Sequence, residues 1–208
     1  EVQWQSLANA AFAGDLLREF TPFDFQTRAE ELFRRLEQFR VLCAVREGPQ
    51  GVKAVNAAVE QSLKRKLGLR HEDEWYPGKP ILITQNDYSL NLFNGDVGLV
   101  LPDPENSDEL RAHFMSQDGG PRRLRPFRLP EHETAYAMTV HKSQGSEFAR
   151  VLLLLPAKDT PLLTRELIYT GITRAAEAVQ ICGDEAVFKA AVARRIRRTS
   201  GLRDALWG

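Results

Sequence analysis

The chain has 208 residues, of which 43% are hydrophobic and 27% are charged, and its 28 Lys and Arg residues balance its 28 Asp and Glu residues. This composition is typical of a globular protein with one large or two small domains, and the zero net charge excludes a globally basic nucleic-acid binder but not a local basic patch. The longest apolar run, Val151–Pro156, is far shorter than the roughly 20 residues of a membrane-spanning helix, so no membrane partner is expected.

The two cysteines and the start of the chain bear on where the protein works. Cys43 and Cys182 each lie in an apolar stretch, which predicts buried, reduced thiols and a cytoplasmic location. The first residues, Glu1–Gln5, lack the basic and apolar regions of a signal peptide. Because the chain also begins without methionine, we expect a fragment of a longer polypeptide.

The first part of the chain predicts one α/β unit. Apolar residues at helical spacing from Phe25 to Leu36 predict an amphipathic helix within an N-terminal helical segment, residues 1–40. The continuous apolar run Val41–Val45 is typical of a strand that is covered on both faces. A glycine-rich turn over 48–51 and a helical pattern from Val52 to Leu63 complete the unit.

The pattern changes between Trp75 and Arg128. Short runs of β-forming residues alternate there with turn-forming pairs, which predicts a small antiparallel β-barrel over residues 75–128. From Thr134 strand and helix patterns alternate again. Strands are expected over 135–140, 151–155 and 178–182, a helix over 165–174 and a last helix from Asp184 toward Arg198. The predicted fold class is therefore α/β, with a parallel-sheet domain made of residues 41–74 and 129–208 and the barrel inserted into it.

A loop between two predicted strands, Thr139–Glu147, contains polar groups of several kinds. Loops at the carboxyl ends of parallel strands are where α/β proteins bind ligands. Hydroxyl, imidazole, ammonium and amide groups suit phosphate oxygens, and a carboxylate such as Glu147 suits ribose hydroxyls. On composition alone, a solvated loop is an equally good interpretation.

The predicted helix over 165–174 ends in an arginine. Arg174 follows Leu167 by two helical turns, so we expect it near the edge of the buried stripe. A guanidinium there needs an anionic partner. The competing interpretation is an arginine that interacts with the dipole at the C-terminal end of the helix.

Together the two segments resemble motifs of superfamily-one DNA helicases. Thr-Val-His-Lys-Ser-Gln-Gly-Ser-Glu, from residue 139, resembles motif V, and Tyr-Thr-Gly-Ile-Thr-Arg-Ala, from residue 169, resembles motif VI. Three further stretches, which begin at Cys43, Phe93 and Arg128, resemble the RecD family, the alpha subunits of the exonuclease V (RecBCD) helicase–nuclease. The likeness extends from about Val41 to Leu202.

The resemblance implies the second of two RecA-like (P-loop NTPase-type) motor domains, with an SH3-like barrel inserted and ATP bound between the domains. It implies that Arg174 is an arginine finger that reaches the γ-phosphate. Glu147 would contact the nucleotide ribose, and Gly145 would allow close approach of the backbone. Gln144 and Lys142 would connect the ATP side of the loop with the DNA side.

The same resemblance implies that Thr139 and His141 contact phosphates of single-stranded DNA, along which motors of this branch move 5′ to 3′. Lys142 would contact the DNA as well. Arg46, which follows a predicted strand, and Asn94, in a turn, are further candidates for DNA contacts. For Arg46 an exposed loop arginine is the simpler interpretation, and Asn94-Gly95 is first of all a turn-forming pair.

One departure from the family pattern limits what the chain can do alone. It contains neither the phosphate-binding loop Gly-x-x-x-x-Gly-Lys-Ser/Thr nor a recognisable magnesium-binding acidic motif. We therefore expect ATP and Mg²⁺ to be bound mainly by the N-terminal motor domain of the full-length chain, and the fragment to be inactive alone. No histidine has neighbours at metal-ligand spacing, so no metal site is expected in the chain itself.

The function implied by the resemblance is that of the C-terminal motor domain of an ATP-dependent helicase subunit in a RecBCD-type helicase–nuclease, acting in double-strand-break repair and recombination. Its partners would then be single-stranded DNA, the N-terminal motor domain and RecB- and RecC-like subunits. Two alternatives stay open. One is a stand-alone RecD-like helicase, and the other is a non-catalytic module that docks a protein or DNA.

Overall fold

The computed structural model describes residues 25–106, 108–116 and 120–196. The first part of the predicted N-terminal segment, residues 1–24, lies outside these ranges, as do residues 197–208. The last predicted helix, expected from Asp184 toward Arg198, ends earlier, at Ala193, because the backbone of Arg194 is extended. No helix in the described ranges is both long enough and apolar enough to cross a membrane.

Four parallel strands form the main sheet. They are β1 (Phe39–Cys43), β7 (Ala137–Thr139), β8 (Phe148–Leu154) and β9 (Ala175–Cys182), arranged in the order β7-β1-β8-β9. Strand β1 is central, with Leu42 paired to Met138 on one side and to Leu153 on the other. The predicted parallel sheet is confirmed.

Helices cover this sheet on both faces. The described helices are α1 (Phe25–Gln38), α2 (Val52–Leu67), α3 (Arg165–Ile172) and α4 (Glu185–Ala193). Successive side chains of a strand alternate between its faces, so Val41 and Cys43 pack with α2 while Leu42 packs with α3 and α4. Burial raises the pKa of the Cys43 thiol to about 12, as expected of an unreactive core residue.

A five-stranded antiparallel sheet is inserted between α2 and β7. Its strands are β2 (Pro80–Ile83), β3 (Val97–Pro102), β4 (Leu110–Ser116), β5 (Gly120–Leu124) and β6 (His132–Thr134), in the order β5-β4-β3-β2-β6. Ile81, Val100 and Phe114 belong to its apolar core, and α1 packs against Leu99 and Leu101 of β3. Strands β5 and β6, at the ends of this order, do not pair with each other within the described residues.

Several element bounds differ from the predicted ones. The inserted sheet continues past residue 128, because β6 pairs with β2 through Leu82 and Glu133. The strand predicted over 135–140 is accordingly shortened to β7. The helix predicted over 165–174 ends at Ile172, and β9 begins at Ala175 rather than at residue 178.

A few buried polar side chains connect the two sheets near the start of β7. The Asn56 side chain donates to the carbonyl oxygens of Thr134 (2.7 Å) and Ala137 (3.1 Å) and accepts from the Ala137 N–H (2.7 Å). The hydroxyls of Tyr76 and Tyr136 lie 2.8 Å apart in the same region. The direction in which β7 leaves the insert is therefore set by side-chain hydrogen bonds from α2 and from the segment that precedes β2.

Candidate functional site

The loop Thr139–Glu147 connects β7 to β8 as a series of tight turns. The Thr139 hydroxyl accepts from the Lys142 N–H (3.2 Å), and the Thr139 carbonyl accepts from the Ser143 N–H (3.2 Å). Ser143 is buried, and its hydroxyl donates to the Val140 carbonyl (2.8 Å). These bonds hold the base of the loop against the sheet.

The remaining polar groups of the loop face solvent. His141, Gln144 and Glu147 are exposed, whereas Lys142 is half-buried. Gly145 is exposed as well and has φ +86°, a conformation that side chains disfavour, with open space where a Cβ would lie. The loop therefore presents an accessible stretch of backbone beside a carboxylate, an arrangement that a ligand can approach closely.

Arg174 lies in the turn between α3 and β9, not in the helix as predicted. Its carbonyl accepts from the Phe148 N–H (2.8 Å), next to the pairing of Phe148 with Ala175, and this strand pairing ends the helix. The guanidinium donates to the Ser146 carbonyl (3.0 Å) and to the Thr170 carbonyl in the last turn of α3 (3.3 Å). Arg174 thus both caps helix carbonyls, as the competing interpretation required, and contacts the loop.

Residues of the loop line two different cavities. One, of about 420 Å³, is lined by His141 and Gln144 together with Glu166 and Arg194. The other, of about 370 Å³, has a different lining that includes Lys142, Gly145, Glu147, Gly95 and Arg40. The predicted ATP-side residues Gln144 and Glu147 therefore line different cavities.

Arg40, which is not among the site residues predicted from the sequence, is a buried cation that lines the second cavity. It is 2% exposed, and burial lowers its pKa to about 10. One guanidinium nitrogen donates to the Ala135 carbonyl (2.6 Å), and the group lies 4.9 Å from the centre of the Phe148 ring. Arg40 remains charged at neutral pH and contributes positive potential beside Glu147.

Arg46 and Lys142, two predicted DNA contacts, meet at one carboxylate. Glu133 of β6 accepts from an Arg46 guanidinium nitrogen (2.9 Å) through one oxygen and from Lys142 Nζ (2.6 Å) through the other. Glu133 is not among the site residues predicted from the sequence. Its only signal was its place in the stretch from Arg128 that resembles RecD, because contacts between distant segments leave no local pattern.

Asn94 lies in the turn between β2 and β3. It is exposed, and its N–H donates to the side-chain oxygen of Asn86 (2.7 Å). Its neighbour Gly95 has φ +103° and lines the cavity that contains Glu147. The insert thereby brings one of its turns to the loop Thr139–Glu147, although Asn94 itself is held in a turn, as its simpler interpretation states.

Residues 134–182, which include the loop and Arg174, match the family described as UvrD-like helicase C-terminal domain. Over 168 residues the chain is 47% identical to the RecBCD enzyme subunit RecD of Mycobacterium tuberculosis, covering 81% of this chain and 28% of that protein. It is 39% identical over 176 residues to the same subunit of Haemophilus influenzae, covering 84% and 26%. The chain belongs to the RecD family.

Another relative is the ATP-dependent RecD2 DNA helicase of Deinococcus radiodurans, which is 34% identical over 158 residues, covering 75% of this chain and 21% of that protein. The chain thus spans about a quarter of the length of the RecD proteins it matches. The parallel sheet with helices on both faces confirms the predicted α/β fold class.

The chain is also similar to a solved structure of Pif1 helicase from Bacteroides in complex with ADP-AlF3 and ssDNA. The TM-score is 0.46 and the sequence identity 16%, covering 81% of this chain and 47% of that one.

Proposed function

We propose that the chain is the C-terminal motor domain of an ATP-dependent, 5′ to 3′ DNA helicase, a subunit of a RecBCD-type helicase–nuclease that acts in double-strand-break repair and recombination. The observation that carries this proposal is the hydrogen bond from Arg174 to the Ser146 carbonyl, because it joins the two segments that resemble helicase motifs. The RecD relatives, which are named as RecBCD subunits, support the assignment to such a complex.

On the ATP side, Arg174 acts as the arginine finger and stabilises negative charge on the transferring phosphoryl group. Glu147 binds the ribose, and the open backbone at Gly145 allows the nucleotide to approach. Gln144, which lines the other cavity, connects the nucleotide side of the loop with its DNA side. Arg174 and Glu147 complete an ATP site on one side only. The N-terminal motor domain binds Mg²⁺ and makes most of the phosphate contacts. The chain alone is therefore inactive.

On the DNA side, Thr139 and His141 bind phosphates at the end of β7, and Arg46, Lys142 and Asn94 extend the contact surface. The exposure of His141, Arg46 and Asn94 supports this assignment. Phosphate contacts position the strand without reading its sequence, which suits a motor that must move along any DNA.

The inserted antiparallel sheet is the SH3-like barrel of the family, and RecB- and RecC-like subunits complete the complex in the cytoplasm. A second candidate function is that of a stand-alone helicase, favoured by the 34% identity to the RecD2 helicase. A purely docking module is disfavoured by the contact between Arg174 and the loop.

The test is the substitution Arg174→Ala in the full-length protein, with steady-state ATPase at saturating single-stranded DNA, strand unwinding and DNA binding measured together. Turnover should fall by about 10³–10⁵-fold, as for arginine fingers elsewhere, with DNA binding retained. Arg174→Lys should recover little turnover because lysine lacks the planar fork. Thr139→Ala and His141→Ala should instead weaken DNA binding and flatten its salt dependence.

The matched control is Arg150→Ala, which removes an exposed arginine from β8. Thermal melting of each variant corrects turnover for the fraction folded. If Arg174 only caps α3, its removal should cost about 0.3–1 kcal/mol of stability, and turnover per folded molecule should stay within a few-fold of wild type. That result would reject the proposed function for Arg174.

A further inference from the structure

Glu133 brings together two cations from separate loops. One of its carboxylate oxygens accepts from Arg46, which follows β1, and the other accepts from Lys142 in the loop Thr139–Glu147. Glu133 belongs to neither loop, because it lies in β6 and pairs with Leu82 of the inserted sheet. The contact is therefore an electrostatic link between the insert and two segments at the edge of the parallel sheet.

The link lies in an open groove rather than in the core. The groove, of about 650 Å³, is lined by Arg46, Glu133 and Lys142 together with Thr84, Glu131 and His132. The side chains of the bridge are 47%, 22% and 26% exposed for Arg46, Glu133 and Lys142. Ion pairs that water reaches are weak, so an incoming anion can replace this carboxylate at little cost.

The arrangement of charges is one that a phosphate would also satisfy. A guanidinium and an ammonium face two oxygens of one anionic group, and arginine and lysine recognise carboxylate and phosphate with the same donors. The three groups carry a net charge of +1, so the carboxylate cancels one of the two positive charges. A free strand of DNA must compete with Glu133 for both cations.

We propose that Glu133 occupies a phosphate position between Arg46 and Lys142 while DNA is absent, and that a backbone phosphate of single-stranded DNA replaces it. This rests on the proposed function, in which both cations bind DNA. When the strand enters, Glu133 releases the two loops while its own strand stays paired to β2. DNA binding thereby uncouples the loop that contacts Arg174 from the inserted sheet.

The test measures binding of a fluorescein-labelled oligo(dT) to the full-length protein by anisotropy, without nucleotide, over a range of salt concentrations. Glu133→Gln should bind about 3–10-fold more tightly than wild type at low salt, with a steeper salt dependence, because two uncompensated cations then meet the phosphates. Glu131→Gln is the matched control. It makes the same change of charge in the same groove, at an exposed residue that forms no ion pair with any described residue, and should alter the affinity less than two-fold.

The gain must depend on the two cations. In an Arg46→Ala, Lys142→Ala background, Glu133→Gln should therefore leave the affinity unchanged. Weaker binding by Glu133→Gln would overturn the proposal, because it would mean that Glu133 holds the cations in their DNA-binding geometry. A gain equal to that of Glu131→Gln would also overturn it, as a general effect of charge. Glu133→Thr, which suits a strand, provides the same test if Glu133→Gln does not fold.

The outcomes separate this proposal from the proposed function. Wild-type protein that does not bind oligo(dT), or that binds equally well without Arg46 and Lys142, contradicts the assignment of these residues to DNA. Binding that falls in the Arg46→Ala, Lys142→Ala variant but does not respond to Glu133→Gln rejects only the role of Glu133.

Discussion

The parallel sheet and the inserted antiparallel sheet present their charged groups in different ways. The parallel sheet carries its candidate groups at or beyond the ends of its strands, in the loop Thr139–Glu147 and in the turn that contains Arg174. The insert instead presents Glu133 from within β6, where pairing with β2 fixes its backbone. Loops can rearrange around a ligand more easily than paired strands. The candidate groups in the loops can therefore move more easily than Glu133, whose backbone is fixed by strand pairing.

The position of the two regions relative to each other depends on the segment between β6 and β7, which we call the joint. Asn56 reaches from α2 to both sides of the segment between β6 and β7, and Arg40 contacts the Ala135 carbonyl in the same segment. The orientation of Glu133 relative to Lys142 depends on this joint, since only two residues separate β6 from β7.

The largest loss of stability should come from Asn56→Ala, which removes the hydrogen bonds of the joint. The substitution leaves the Ala137 N–H and two carbonyls without their partner in a buried place, and we expect a loss of about 3–4 kcal/mol in the free energy of unfolding. Chemical denaturation of the full-length protein measures this. Gln61→Ala, an exposed position on the same helix, is the control and should change stability by less than about 0.5 kcal/mol. An equally small change for Asn56→Ala would show that the joint does not hold the two regions together.

A smaller loss of stability, caused by one residue of the insert, should appear at acidic pH. His113 of β4 is fully buried, and burial, helped by Arg123 and Arg111 and opposed by Asp103, lowers its pKa from 6.5 to about 4. Between these values the unfolded chain binds a proton that the folded protein does not. Stability should therefore fall as the pH drops from 6.5 toward 4, by at most about 3 kcal/mol.

The check is the free energy of unfolding at pH 7.5 and pH 4.5 for wild type and for His113→Gln, which cannot be protonated. The variant should lose less stability in acid than wild type. Equal losses would mean that His113 is not held neutral in the insert.

Much of the fold could be predicted because local patterns reflect burial. The run from Val41 is apolar on both faces because helices cover β1 on both sides, and Asn94-Gly95 marks a turn because Gly95 needs a positive φ. Strand β6 left no such pattern, because His132, Glu133 and Thr134 are polar and half-buried. It is a strand only because β2 offers it a partner.

The site could be predicted only in part. The loop and Arg174 were predicted because each lies in a contiguous motif. The contact of Arg46 and Lys142 with Glu133 was not predicted, because Arg46 lies 87 positions from Glu133 in the chain and Lys142 lies 9 positions from it. The helix was expected to continue to Arg174, but it ends at Ile172, because β9 begins at Ala175 and pairs with β8.

Unwinding by the full-length protein provides the decisive test of the proposal that this chain is the C-terminal motor domain of a DNA helicase. The measurement compares a duplex with a single-stranded 5′ tail and one with a 3′ tail, with and without ATP. We expect ATP-dependent separation of the 5′-tailed duplex and none above background for the 3′-tailed duplex. The proposal would be wrong if folded protein bound both DNAs but separated neither duplex in the presence of ATP, or if it separated the 3′-tailed duplex preferentially.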